Sequence, residues 1–292
     1  MAITTNAVLA DTLPTVLESA RLTEQFIAVM SGLVWKIRKE LHDGKTVNVP
    51  TFGTVSAKAL AEGIDMVDSE TMSDTSVTIT PAEVGCKLIL TDKMVRDNNE
   101  DVKAAAGRIL GAAMEVKRDQ DLLLQFASAG TTIGSGGTLT LGMVAAGRAI
   151  IKGNPVSSGG PGTGAMYAVQ HPYVTLDLVD VFTPVTPAAG TTTAMGSALT
   201  DDVIRNYSIG KLFGIPIIED GNIDTVTLAN TAKGGVFTTD SIILATANEW
   251  GVEPERDASL RATELNIVGE YGVGIYESDW IVTLNNDATI PA

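Results

Sequence analysis

Residues 157–166 read SSGGPGTGAM, a glycine run close to the loop that cradles nucleotide phosphates. That loop needs the pattern G-x-x-x-x-G-K-[ST], because the lysine neutralises the β- and γ-phosphates and the hydroxyl holds Mg²⁺. Gly159 and Gly164 keep the spacing, but Ala165 occupies the lysine position and Met166 the hydroxyl position. The context also differs. A phosphate cradle joins a strand to a helix, whereas this run follows a helical pattern and enters a strand pattern. A flexible surface loop is expected here, not a nucleotide site.

Other candidate chemistry is equally incomplete. Asp97, Asn99 and Asp101 resemble the start of a calcium loop, but Val102 replaces the required glycine and Arg108 the closing glutamate. Clustered caps at a helix N-terminus explain the same residues. One cysteine, Cys86, and two distant histidines, His42 and His171, do not make a structural zinc site. His171 precedes Pro172 and suits a turn or cap. The G-x-S-x-G nucleophile elbow is missing, and Asn206 opens an N-x-S pattern that matters only in a secreted chain. The acidic pairs Glu253/Glu255 and Asp201/Asp202 read as solvated charge. In VEPERD, Arg256 lies between Glu255 and Asp257. Inter-subunit ion pairs and an exposed charged strand end account for it equally well. No catalytic residue, cofactor site or metal site is expected.

Composition narrows the class. The chain has 292 residues, 45% hydrophobic and 19% charged, so it is expected to be globular. Aromatics are only 5%, so packing must rely on small side chains. A net charge of −15 repels polyanions and argues against a sequence-reading nucleic-acid binder. A single cysteine forbids an internal disulfide. The start, MAITTNAVLADTLPTVL, lacks a basic region and is interrupted by Asp11 and Pro14, so no signal peptide is expected. No stretch approaches the roughly 20 apolar residues of a membrane span. These features describe a soluble intracellular product.

The elements that would position these residues are legible in outline. Residues 13–44 show helical spacing through Val16, Leu17, Ala20, Phe26, Val29, Met30, Val34, Ile37 and Leu41, with a break or bend at Gly32 and a stop at Asp43-Gly44. Residues 45–91 alternate instead. Val47 and Val49 share one face, as do Val77 and Ile79, followed by Cys86, Leu88 and Leu90. Between these runs lies the acidic stretch LAEGIDMVDSETMSD, containing Glu62, Asp65 and Glu70. Two alternating runs around a long middle predict an extended β-hairpin arm. Such an arm cannot bury both faces by itself, which implies self-association.

A long helix follows, from about Asp97 to Gly130. Its predicted inner face carries Val102, Ala106, Ile109, Ala113, Val116, Leu123 and Ala127, with Gln120 the one polar member. At 1.5 Å per residue it would run roughly 45 Å, a spine. Residues 131–140 loosen. Then come a helix at LGMVAAGRAIIKG, a buried strand at AMYAVQ, a helix at YVTLDLVDVF and a loop over 183–198. A helix at LTDDVIRNYSI and a strand at GKLFGIPIIEDGNI follow, and residues 235–292 are strand-rich.

This order of parts, with phrases such as VNVPTFG, ITPAEVGCKLILTD, RDQDLLLQF, AVQHPYVTLDL, IGKLFGIPIIEDGNI and the closing VEPERDASLRATELNIVGEYGVGIYESDWIVTL, resembles the major capsid protein of tailed bacteriophages, the Hong Kong 97-type fold. The likeness spans about residues 45–287. It implies an α+β chain with an N-terminal helical arm (1–44), an extended hairpin loop (45–92), a peripheral domain with the spine helix (93–134), an axial domain (135–235) and return strands of the peripheral domain (236–292).

The implied function is structural rather than catalytic. Copies of the chain would close as hexamers and pentamers into an icosahedral virion shell around double-stranded DNA, without sequence-specific binding or a membrane. Assembly would occur in the host cytoplasm with a separate scaffolding protein, since only about 44 residues precede the hairpin, and with a portal. Lys58, Glu62, Asp65, Glu70, Glu255, Arg256 and Asp257 are the candidate inter-subunit contacts. Some relatives cross-link through a hairpin lysine; Lys58 lies in the hairpin, but no asparagine or carboxylate partner can be named for it. The rival readings are an encapsulin-type compartment shell, another virion component, and an acidic enzyme whose site is not visible in the sequence.

Overall fold

The computed structural model describes residues 28–40, 44–53, 55, 57–59, 62–63, 71–97, 102–182, 210–226 and 230–290. In chain order the first elements are β1 (Trp35–Arg38), β2 (Val47–Phe52), β3 (Asp74–Ile79), β4 (Ala82–Thr91), α1 (Asp92–Asp97) and α2 (Val102–Leu123). The middle holds β5 (Thr131–Gly137), α3 (Leu141–Gly153), β6 (Met166–Gln170), α4 (Pro172–Phe182), β7 (Lys211–Leu212), β8 (Ile215–Glu219) and β9 (Thr225–Val226). The last elements are β10 (Thr231–Thr238), β11 (Ile242–Asp257), β12 (Ala262–Ile275) and β13 (Ile281–Asp287).

Among the described residues the strands fall into three sheets. One runs β1-β11-β12-β4, a second β5-β13-β10-β6-β8-β7 with β9 beside β10, and the third is the β2–β3 pair. The expected strands at AMYAVQ, GKLFGIPIIEDGNI and the C-terminal block are present, as are the helices at α3 and α4. The predicted loop 183–198 and helix at LTDDVIRNYSI lie outside the described residues, as do residues 1–27 of the N-terminal arm.

Four expectations require correction. First, the helical spacing does not hold through Ile37. Met30–Gly32 is a single 3-10 turn and Trp35–Arg38 is a strand, parallel to Ile243–Thr246 of β11. The aromatic and β-branched residues there favour a pleated surface. Ile37 packs with Val49, Ile79, Ile243 and Ala245, and this burial overrides the local helical pattern.

Second, the alternating run after Ile79 does not extend the hairpin. β2 and β3 pair from Val47↔Ile79 to Phe52↔Asp74. Pro81 has no N–H to give a ladder. Beyond it β4 departs and pairs with β12 over ten residues, from Ala82↔Tyr271 to Thr91↔Ala262. The arm is shorter than expected and its second flank is built into the subunit.

Third, the inner face of α2 is rotated by about one residue. Val102 and Ala106 are buried as expected, but Leu110 and Met114 continue the face and Ile109 is 46% exposed. Leu110 and Met114 pack with Leu90, Met94, Leu265 and Ile267, so the sheet presented by β4 and β12 sets the phase. Among the described residues of the helix the buried polar side chain is Asp119; Gln120 is exposed. Further along, Leu122, Leu123 and Phe126 enter a different cluster with Val236, Phe237, Val282 and Leu284. One helix thus contributes to two cores.

Fourth, residues 131–137 are not loose. They form β5, parallel to β13 with Val282↔Thr131 and Leu284↔Ile133.

Candidate functional site

The hairpin is held at its base and open toward its tip. Val49 and Ile79 are buried against Ile243 and Ala245. Ile79 rests over Gly272 and Gly274 of β12, where an added Cβ would approach its side chain to 2.9 Å and 2.8 Å. Only glycine permits that approach. Toward the tip, Phe52 is 60% exposed, Val55 62% and Met72 70%. Phe52 ends β2, and Val55 and Met72 lie just beyond the paired strands; large exposed apolar side chains of this kind suit a protein partner. The sequence reading singled out the acidic residues of this arm and missed these; the same alternation that placed Val47 and Val49 contained the signal for Phe52. Lys58 and Glu62 are exposed, whereas Asp65 and Glu70 lie outside the described residues.

The VEPERD residues end the β11–β12 hairpin. Arg256 donates two hydrogen bonds of 2.6 Å to the carboxylate of Asp92, at the start of α1. These bonds hold the guanidinium pKa above its ordinary value. Asp257 accepts from the Ser259 hydroxyl at 2.7 Å and from the backbone N–H groups of Ser259 and Leu260, which lowers its pKa and shapes the turn. Glu255 is exposed opposite Glu264, which is buried and paired with Lys87. Arg256 is therefore engaged within its own chain by a partner 164 positions away. Neighbouring letters could not indicate that.

The glycine run is a fixed connection, which corrects the expectation of a flexible loop. Gly162 N–H donates to the Ile151 carbonyl at 3.1 Å. The Gly160 carbonyl accepts from Asn154 Nδ2 at 3.1 Å and from Trp280 Nε1 at 2.8 Å, and Lys152 Nζ donates to the Gly162 carbonyl at 2.6 Å. A Cβ at Gly162 would press to 2.7 Å from Ile151 and 2.9 Å from Thr238. The small residues serve close packing between α3, β10 and the start of β13.

Several other titratable side chains are tied into the scaffold. His171 caps α4, its Nδ1 accepting from the Tyr173 N–H at 3.2 Å, and burial lowers its pKa. Arg118 lies 4.2 Å over the Trp250 ring and bonds Glu115 at 2.6 Å. Tyr271 donates to Asp121 at 2.8 Å; burial, then this bond, raises its pKa. Cys86 is exposed on β4, and His42 lies outside the described residues. Among the described residues no group of three or more His, Cys, Asp or Glu side chains could hold a metal ion, and no helix is long and apolar enough to cross a membrane.

No protein-family model and no curated protein sequence matches the chain. Solved structures do. A structure from Mycobacterium phage Che8 aligns with TM-score 0.71 at 16% identity, covering 93% of this chain and 96% of that one. The capsid of the cyanophage P-SCSP1u aligns with TM-score 0.65 at 16% identity, covering 97% and 95%. The capsid of Helicobacter pylori bacteriophage KHP30 aligns with TM-score 0.71 at 9% identity, covering 98% and 99%. The chain has the α+β fold of phage capsid structures, the Hong Kong 97-type architecture, over nearly its whole length.

Proposed function

We propose that this chain is the major capsid protein of a tailed double-stranded DNA bacteriophage, a non-enzymatic subunit whose copies close into an icosahedral head shell. The observation that carries this reading is the end-to-end likeness to phage capsids, 93–98% of the chain in the three alignments above. The hairpin supports it physically. Its apolar end, Phe52, Val55 and Met72, has exposed area that a second copy would cover. Contacts repeated around closed symmetry stabilise a shell even where each contact is weak.

In this reading Lys58, Glu62, Asp65 and Glu70 on the arm, and Glu255, Arg256 and Asp257 at the end of the β11–β12 hairpin, lie against neighbouring copies. The peripheral domain takes residues 93–134 and 236–292 and the axial domain residues 135–235. The sheet containing β13, β10 and β6 crosses that boundary, so the two parts would share one core. A scaffolding protein and a portal are the remaining partners, with assembly in the host cytoplasm and the enclosed DNA held without base recognition.

Expression of the full chain followed by sedimentation and negative-stain imaging tests the proposal. Hollow polyhedral particles are expected. A chain that stays monomeric at high concentration, with or without a co-expressed scaffold, would overturn it.

A further inference from the structure

Two aspartates meet where the spine helix passes from one core to the other. Asp119 of α2 is fully buried (0% exposed) and Asp220, just after β8, is 1% exposed. Asp119 Oδ1 accepts from the Met30 N–H at 2.8 Å and Oδ2 from Asn222 Nδ2 at 2.9 Å. Both oxygens of Asp119 thus have N–H donors. Asp220 differs. Its Oδ1 accepts from the Asn222 N–H at 2.9 Å, while its buried Oδ2 has no donor among the described residues. Two ionised carboxylates cannot share so dry a place.

We propose that Asp119 and Asp220 share one proton, carried on Asp220 Oδ2 and donated to Asp119, and that this proton latches three segments together: the turn at Met30, the spine helix and the connection after β8. Burial first, and the adjacent Asp119 second, push the Asp220 pKa from 3.8 to about 7.

Charged groups on the surrounding elements are engaged elsewhere. On α2, Glu115 pairs with Arg118 and Lys117 with Asp121. Glu219 of β8 accepts from the Thr175 hydroxyl, and His171 caps α4. The Met30–Gly32 turn carries no charge; Lys36 and Arg38 of β1 and Asp224 are exposed. Among the described residues, Asp119 is the charge that acts on Asp220.

The sign follows from linkage. The folded chain keeps a proton that the unfolded chain releases near pH 3.8, so this site's contribution to stability falls as pH rises from 3.8 to about 7 and is level above that. Below about 7 the latch is closed. Above it, two negative charges face each other and the joint opens more often. In an assembled shell the same proton would set how freely the spine helix moves against the segment after β8.

The experiment uses the full chain and does not depend on shell formation. Infrared difference spectra should contain a protonated-carboxyl band at about pH 5.5 that disappears by about pH 8.5, and Asp220→Asn should lack it. Hydrogen exchange of the peptide containing the Met30 N–H, corrected for intrinsic rate, should speed up by about tenfold between about pH 6 and pH 8. In Asp220→Asn, whose amide can donate permanently to Asp119, that dependence should vanish. A band absent at the lower pH or persisting at the higher one, or an unchanged exchange profile in Asp220→Asn, would overturn the latch. If the variant does not fold, the wild-type infrared titration decides alone.

Discussion

Ile79 sits on Gly274 so closely that a Cβ there would lie 2.8 Å from Ile79 Cγ1. The root of the arm and the β11–β12 sheet are therefore matched surfaces, a side chain on one and its absence on the other. Gly274→Ala should destabilise the subunit by about 1–3 kcal/mol through overpacking, and Ile79→Ala by about 2–5 kcal/mol through the cavity left behind. Both variants should become more sensitive to proteolytic nicking in residues 45–80, read by limited proteolysis beside a denaturant titration.

The phase of the spine helix separates two neighbours. Met114 is 2% exposed and Ile109 46%. Met114→Ala should cost about 2–5 kcal/mol, whereas Ile109→Ala should stay within about 0.5 kcal/mol of wild type in the isolated subunit. Equal losses on chemical denaturation would return the helix to the phase read from the sequence.

Phe52 and Met72 test the assembly reading. The double substitution Phe52→Ser with Met72→Ser should leave subunit stability unchanged within about 0.5 kcal/mol. Particle yield by sedimentation should fall. Full yield would remove the arm's apolar end from the assembly interface.

Tyr271 fastens β12 to α2 through Asp121. Tyr271→Phe removes one half-buried hydrogen bond and should cost about 0.5–1.5 kcal/mol. Adding Asp121→Asn to that variant should cost less than Asp121→Asn alone, which a double-mutant cycle measures.

Much of this fold was legible because its signals are local. Asp220-Gly221 after an apolar run marked the end of β8, and His171-Pro172 marked the start of α4. Long-range pairing decided what remained hidden. The strand at Trp35–Arg38 exists because β11 offers an edge about 200 residues later. The phase of α2 depends on Leu265 and Ile267, which no reading of residues 97–130 contains. Arg256 has acidic neighbours on both sides but bonds Asp92. The Asp119–Asp220 pair joins residues about a hundred positions apart, and Asp119 had only its place among charged helix residues to mark it.

Because α2 drives side chains into both apolar clusters, those clusters cannot dissolve one at a time. Freeing Leu110 and Met114 loosens the rod that also carries Leu122 and Leu123. Heat should therefore take the subunit apart in a single cooperative step, with one calorimetric peak for both parts.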